Sequence, residues 1–327
     1  MDGVIEALGS KPWGISVIMP CHNAGPWIAM ALRSIAAQTH PAHEIIVIDD
    51  ASADDSVEQI ERSGVVVRLL RVNLRNAAAA RNVGIEAATG DWLALLDADD
   101  VWYPHHLARA VALLSRTDDV AFMSSHDWIS LEGAPVPMPE AFVCKLTAPR
   151  SGLTAEDYYR FERDGFHFGH STVLYRRDRV VDVGLFDVSQ KRRHDIDLWL
   201  RVVAGRTWAY DTVKAVGYRE GVPGSLSGDA LECDYYYLRT LATNAARTGS
   251  PALREHVARQ ARRAMGIAFV DGSKEHYARI RALAWPYLPS FYRFFYGGAS
   301  VWPGPLRAMI RAKRRMAMVS ERLLSGS

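Results

Sequence analysis

Trp92-Leu-Ala-Leu-Leu96, followed at once by Asp97-Ala-Asp-Asp100, is the stretch whose reading decides the fold. Five apolar residues form a short buried strand, and the acids bring it to an abrupt polar end. A strand period of two puts Asp97 and Asp99 on one side. Carboxylates crowded after an apolar run repel one another and resist burial. Hard divalent cations such as Mg²⁺ or Mn²⁺ take carboxylate oxygens together with waters and substrate phosphates. The cluster therefore points to a diphosphate-bearing ligand held through a metal. The plainer alternative is an acidic turn capping the helix that begins at Pro104.

The same punctuation repeats on both sides of this stretch. Strands are expected at Ile15–Pro20, Glu44–Ile48, Val65–Leu70 and Val120–Met123, with helices between them at Pro26–Ala37, Asp54–Arg62, Asn76–Ala88 and Pro104–Leu114. Gly90 reads as the residue that stops the third helix. Alternation of this kind gives a mostly parallel sheet covered by helices, an α/β class. Ligands in such sheets sit at the carboxyl ends of the strands. Cys21-His-Asn23, Asp49-Asp50 and Asp97 to Asp100 are then expected to converge. No Gly-rich GxGxxG follows the first strand, which weighs against dinucleotide and hydride chemistry.

Composition bounds the rest. The chain has 327 residues, 49% of them apolar and 23% charged, enough for an ordinary core. Thirty-nine Lys and Arg against thirty-seven Asp and Glu give a formal charge of +2, too balanced for nucleic-acid binding by bulk charge. Cys21, Cys144 and Cys233 show no CxxC pair, so no zinc site or disulfide framework is legible, and a reducing compartment fits. Met1 to Trp13 does not read as a signal peptide, and no run of eighteen apolar residues offers a membrane span.

Beyond residue 128 the prolines at 135, 137, 139 and 149 suggest loops, followed by strands at Ser171–Tyr175 and Thr212–Arg219 and a helix at His194–Ala204. In that helix Asp197 and Arg201 are i,i+4 partners on the polar side, read as a solvated pair. Asp195 falls within the apolar arc beside Leu198, Trp199 and Val202. An inward acid at a helix start is costly unless it caps or catalyses, so Asp195 is the general-base candidate. His167 and His170, three residues apart, read as packed side chains rather than metal ligands.

Taken in order, Ser16-Val-Ile-Met-Pro-Cys-His-Asn23, Gln38-Thr39, Ile46-Val-Ile-Asp-Asp-Ala-Ser-Ala-Asp54, Ala80-Arg-Asn-Val-Gly84, Leu96-Asp-Ala-Asp-Asp-Val-Trp-Tyr-Pro104, Gly184-Leu-Phe-Asp187 and His194-Asp-Ile-Asp-Leu-Trp-Leu-Arg201 resemble the family 2 glycosyltransferases of GT-A fold. The resemblance covers roughly residues 15 to 228. It implies inverting transfer of a sugar from a nucleotide diphosphate donor, UDP-linked, with Mn²⁺ or Mg²⁺. Pro20 and Asn23 would line the nucleotide pocket and Asp50 would contact base or ribose. Asp97 would sit near the donor ribose or sugar, Asp99 would coordinate the metal, and Asp195 would be the base. Arg81 would offset diphosphate charge or anchor its helix, and His194, Trp199 and Arg219 complete the implied substrate-binding set. Two departures stand out. His194 occupies a place where the family usually has Glu, and the late loop Arg219-Glu-Gly-Val-Pro-Gly-Ser-Leu-Ser227 lacks the family's His. Arg219, Glu220 and Ser225 are the candidates to substitute for it.

The resemblance further implies a glycan or lipid-linked acceptor, bacterial surface glycan synthesis, and a cytoplasmic place at the inner face of the membrane. Three segments are expected: 1–128 binding the nucleotide sugar, 129–228 binding acceptor and carrying the base, and a helical extension at 229–327. In the extension, Trp285 to Trp302 holds eight aromatic residues, and residues 301 to 327 carry six bases against Glu321. That pairing suits an anionic membrane surface, or else packing and homodimer contact. Two other functions are compatible with parts of this pattern. A sugar nucleotidyltransferase would want a Gly-rich, basic loop after the first strand, which Pro20-Cys-His-Asn23 is not. A glycan- or nucleotide-binding module without catalysis would fit the two departures.

Overall fold

The computed structural model describes residues 13–138, 146–163, 166, 169–225, 229–271 and 273–297. Two compact units divide the chain, residues 1–225 and 226–327.

In the first unit the chain runs β1 (Ile15–Cys21), α1 (Ile28–Ala36), β2 (Glu44–Asp50), α2 (Ser56–Arg62), β3 (Arg68–Val72), α3 (Ala77–Ala87), β4 (Trp92–Leu95), β5 (Val101–Trp102), α4 (His106–Leu114) and β6 (Ala121–Ile129). It continues as β7 (Pro135–Val136), β8 (Arg150–Leu153), α5 (Ala155–Arg163), β9 (Val173–Arg176), α6 (Arg177–Asp182), α7 (His194–Val202) and β10 (Trp208–Arg219). All the expected strands form, within a few residues of their predicted limits. Helices α5 and α6 were not expected: α5 lies in the proline-bearing region read as loop, and α6 directly follows β9.

Described strands form one sheet in the order β3-β2-β1-β4-β9-β6-β10-β5, with β7 added on β6 and β8 on β10. Pairs β3–β2, β2–β1, β1–β4 and β6–β10 are parallel. β9 is antiparallel to both β4 and β6. The sheet is thus mixed, with β9 splicing two parallel blocks that point the same way. Its reversed direction brings its start, rather than its end, to the edge where β4 finishes. β4 lies mid-sheet while β5, a few residues on, pairs with β10 at the far edge. The acidic turn between them therefore runs across the ends of the intervening strands.

Close packing of α3 explains its small residues. A Cβ on Gly84 would lie 2.6 Å from Ile48 Cδ1 and 2.7 Å from Ile18 Cγ2, so only glycine lets the helix sit this low on β1 and β2. Asn76 starts α3 as N-cap, its side chain accepting from the N–H groups of Ala78 and Ala79. Gly90 does not stop the helix through a left-handed cap as expected, since Ala88 is the C-cap. It is needed because its Cα packs against Gly14: a Cβ there would stand 2.5 Å from the Gly14 carbonyl oxygen.

The second unit is helical, as expected: α8 (Ala230–Thr248), α9 (Pro251–Asp271), α10 (Lys274–Ala284) and α11 (Ser290–Gly297). Asp229 and Ser273 cap α8 and α10, and Gly249 closes α8 in the left-handed conformation at φ 67°. Arg279 joins the helices by donating to Glu232 at 2.6 Å while stacking 3.9 Å over the Tyr235 ring. The aromatic stretch divides in two. Tyr296 is buried against Phe269 and Tyr277, whereas Phe291 and Phe294 are 73% and 84% exposed. Trp302 and the basic run 301–327 lie outside the described residues. No helix among the described residues is long and apolar enough to cross a membrane.

Gly90→Ala should lower stability by about 1–3 kcal/mol, because the new methyl meets backbone that cannot rotate away. A thermal melt followed by circular dichroism checks it, and an unchanged melting temperature would mean that Gly14 and Gly90 separate freely.

Candidate functional site

Asp97, Asp99 and Asp100 bring their carboxylate oxygens within 4.8 Å of one another. Each has a different environment. Asp100 is 2% exposed. Its Oδ2 accepts from the Ser171 hydroxyl at 2.5 Å and its Oδ1 from the Arg219 main-chain N–H at 2.8 Å. Burial, then the charges of Asp99 and Asp97, hold its carboxyl well above the usual range. Asp97 accepts from Arg81 Nη2, and its own N–H donates to the Ser171 hydroxyl at 3.1 Å. Asp99 is half-buried, and among the described residues no side-chain hydrogen bond ties down its carboxyl group. Burial, then the Asp97 charge, push that carboxyl up to about 6, with Arg219 and Arg81 partly offsetting.

This donor set fits a hard divalent cation. Oxygen ligands are gathered, their mutual repulsion is only partly relieved by the protein, and Asp99 has a carboxylate to give. Asp99 would hold the ion, which would neutralise part of a bound diphosphate.

Ser171 was not picked out by the sequence reading, which looked for ligands at strand ends. It sits in the single 3₁₀ turn that precedes β9, and only the antiparallel course of β9 brings that turn beneath the acids. A second reach from the same turn is the Trp102 indole N–H, which donates to the Ser171 carbonyl at 2.8 Å.

Arg81 links the acids to α7. Its side chain is 6% exposed. Nη2 pairs with Asp97, and Nη1 donates to His194 Nε2 at 2.8 Å. Arginine has only donors, so Nε2 is the unprotonated ring nitrogen. Burial, and then the Arg81 charge, push the His194 imidazole down to about 3, so it is neutral at any ordinary pH. His194 is 6% exposed, edge-on to Phe186 at 5.7 Å, and so is placed to hold Arg81 rather than to meet a substrate. Next in sequence, Asp195 is half-buried, with Oδ1 accepting from the Ile196 N–H at 2.8 Å. Burial, and then the Arg81 charge, hold the His170 imidazole well below its usual range, with the Asp195 charge opposing.

The wheel reading of α7 is corrected in one respect. Asp197 and Arg201 do pair, at 2.8 Å, but their side chains are only 10% and 15% exposed. Arg201 also donates to the Val183 carbonyl at 2.8 Å, so the pair is an internal tie between α7 and the turn after α6. Trp199, read as substrate-binding, is wholly buried and packs edge-on to Trp208 at 4.9 Å, where it anchors the helix in the core.

On the donor side, Pro20 lies in β1 opposite Ile48, half-buried. Asn23 is exposed, and its Oδ1 accepts from the Ala53 N–H at 2.8 Å. Asp50 is not open to a base or ribose as expected. Its carboxylate accepts three main-chain N–H groups, from Leu74 at 2.5 Å and from Arg75 and Asn76 at 2.8 Å each, and it is 4% exposed. It shapes the entry to α3. Arg219 is likewise spent on the fold. Its guanidinium donates to the carbonyls of Asp99, Ser130 and Leu131 at 2.6–2.7 Å. His170 packs against Phe186 and His194, while His167 lies outside the described residues. Four residues other than glycine adopt left-handed backbone around these features: Asn23, Ala51, Arg75 and Arg193, with φ between 48° and 56°.

Residues 16–183 match the family profile of glycosyl transferase family 2. The chain belongs to that family. The chain is 34% identical over 200 residues to the amylovoran biosynthesis glycosyltransferase AmsB of Erwinia amylovora, covering 58% of this chain and 64% of that one. It is 26% identical over 219 residues to the putative teichuronic acid biosynthesis glycosyltransferase TuaG of Bacillus subtilis, covering 66% and 82%. Coverage is lower elsewhere: the match spans 37% of an uncharacterized Nostoc glycosyltransferase and 54% of the uncharacterized YibD of Escherichia coli. Among solved structures, S. aureus TarS 1–349 in complex with UDP-GlcNAc is similar with a TM-score of 0.67 at 17% identity, over 84% of this chain and 82% of that one. The mannosyltransferase PcManGT of Pyrobaculum calidifontis, in complex with GDP-Man and Mn²⁺, gives 0.52 at 20% identity, over 91% and 86%. These structural likenesses establish that the family 2 chain has the GT-A fold with helices at its C-terminal side.

Asp99 provides a pH test of the acidic cluster. Its folded-state pKa is above its unfolded value, so the folded protein keeps a proton that the unfolded chain has already released, and that contribution to stability is lost as pH climbs through about 6. A divalent cation competes with that proton. Mn²⁺ with UDP should therefore raise the melting temperature at pH 7.5 and have little effect at pH 5. An equal shift at both pH values would place the ion elsewhere.

Proposed function

We propose that this glycosyltransferase moves a sugar from a nucleotide diphosphate donor, UDP-linked, onto an acceptor hydroxyl with inversion. The observation that carries this reading is the tie through Arg81. One buried guanidinium joins Asp97, in the acidic turn, to His194, the neighbour of Asp195. Donor-side acids and the candidate base thus share one edge of the sheet, as a two-substrate displacement requires.

In the proposed reaction a divalent cation, Mn²⁺ or Mg²⁺ held by Asp99, supplies charge neutralisation for the departing nucleoside diphosphate. Pro20 and Asn23 line the nucleotide pocket, with Asp50 behind it setting the course of the chain into α3. Asp97 borders the donor sugar while Arg81 balances its charge. Asp195 takes the proton from the acceptor hydroxyl as its oxygen bonds to the anomeric carbon and the bond to the diphosphate oxygen breaks. No acid is needed for the leaving group, which departs as a stabilised anion.

Relatedness to AmsB and TuaG supports work in surface glycan assembly, with a glycan or lipid-linked acceptor. Exposed Phe291 and Phe294, followed by the basic run of residues 301–327, support a place for the second unit at the inner face of the cell membrane.

Asp195→Asn should cut transfer by about 10³-fold or more while UDP-sugar binding is kept, since general-base loss acts on chemistry alone. Asp99→Ala should instead abolish the Mn²⁺-dependent part of UDP binding measured by calorimetry. Wild-type transfer rates in Asp195→Asn would remove the base assignment.

A further inference from the structure

We propose that His194 is a positioning residue. By accepting a hydrogen bond from Arg81 at Nε2 it holds that guanidinium against Asp97, and so keeps Asp97 from sharing in cation binding. This rests on the cation reading above and deepens it.

Three observations support the assignment. Arg81 has one arm on each partner, and the three side chains come from α3, the β4 turn and the first residue of α7. Both Arg81 and His194 are nearly excluded from water, at 5% and 6% exposure, so neither arm of the guanidinium can exchange its partner for solvent without opening the packing. Phe186 closes the remaining side, 5.9 Å from the guanidinium carbon and 5.7 Å from the imidazole. Among the described residues Nη1 reaches, besides His194, only the Ala77 carbonyl, at a long 3.5 Å, so when residue 194 offers no acceptor that arm is poorly satisfied and gains by turning toward a nearby acid.

The identity of residue 194 then sets where the guanidinium charge lies. A neutral imidazole leaves Asp97 as the one anion hydrogen-bonded to Arg81. A carboxylate at 194 would place a second anion on the same guanidinium and loosen its hold on Asp97. An apolar residue would leave Nη1 to seek an acceptor among the acids of the turn, in competition with a cation. The two changes push cation affinity in opposite directions, which mere packing at this position would not do.

The test measures Mn²⁺ binding in the presence of UDP by electron paramagnetic resonance, with a thermal melt of each protein. His194→Gln keeps a neutral acceptor and should stay within about threefold of wild type. His194→Glu should bind Mn²⁺ about three- to tenfold more tightly, and His194→Leu more weakly by a similar factor, the range expected of coupled neighbours. Arg81→Gln supplies a background that leaves α7 intact. There His194→Glu should have no further effect, because its influence runs through the guanidinium. Should the Leu variant fail to melt cooperatively, the Glu and Gln variants with the Arg81→Gln cycle decide the matter. Equal Mn²⁺ affinity in the Glu variant and wild type, or the same gain in the Arg81→Gln background, would overturn the assignment. Wild-type protein taking up no Mn²⁺ with UDP present would instead overturn the cation reading, and this inference with it.

Discussion

Asp100 is a carboxyl group almost without water, held by one hydroxyl and one main-chain N–H. That arrangement fixes the acidic turn where it crosses the strand ends, and the site is built upon it. With Asp100 committed inward, Asp97 and Asp99 are left on the accessible side at fixed spacing. Arg81 then takes Asp97, and among the described residues Asp99 is the acid left without a side-chain partner. Three neighbouring aspartates of the same chemistry thus acquire three fates from their surroundings alone.

Much of this was legible beforehand because strand ends are marked strongly. An apolar run broken by acids reads the same whether the strand is central or at an edge, and β1, β2 and β4 all end within two residues of the expected limits. What could not be read was direction. Nothing in Ser171 to Tyr175 distinguishes a parallel strand from an antiparallel one, so the contribution of Ser171 was missed, although the strand itself was found. Polar residues were misread for a related reason. Asp50 and Arg219 carry the charges expected of ligand-binding groups, but main-chain donors and acceptors from distant segments absorb them. Such partners leave no trace in side-chain pattern. Trp199 failed differently: its neighbours on the wheel marked an apolar arc, and an indole in that arc is core before it is anything else.

Parallel and antiparallel pairing divide the labour within the sheet. The β3-β2-β1-β4 block supplies the acidic turn, and the β6-β10 block supplies the braces that close over Asp100 and Asp99. β9 joins the blocks, and its leading turn touches both Asp97 and Asp100. The family match over residues 16–183 takes in the first block together with β6 and β9.

Ala51, Arg75 and Arg193 are wound left-handed, a conformation that costs a residue with a side chain roughly 1–2 kcal/mol. They stand at the exit of β2, the approach to α3 and the approach to α7. These segments are therefore not neutral spacers that any sequence of equal length could replace. Grafting one from a relative would transplant its torsional tension too, and a graft made for its side chains alone would relax into a different path.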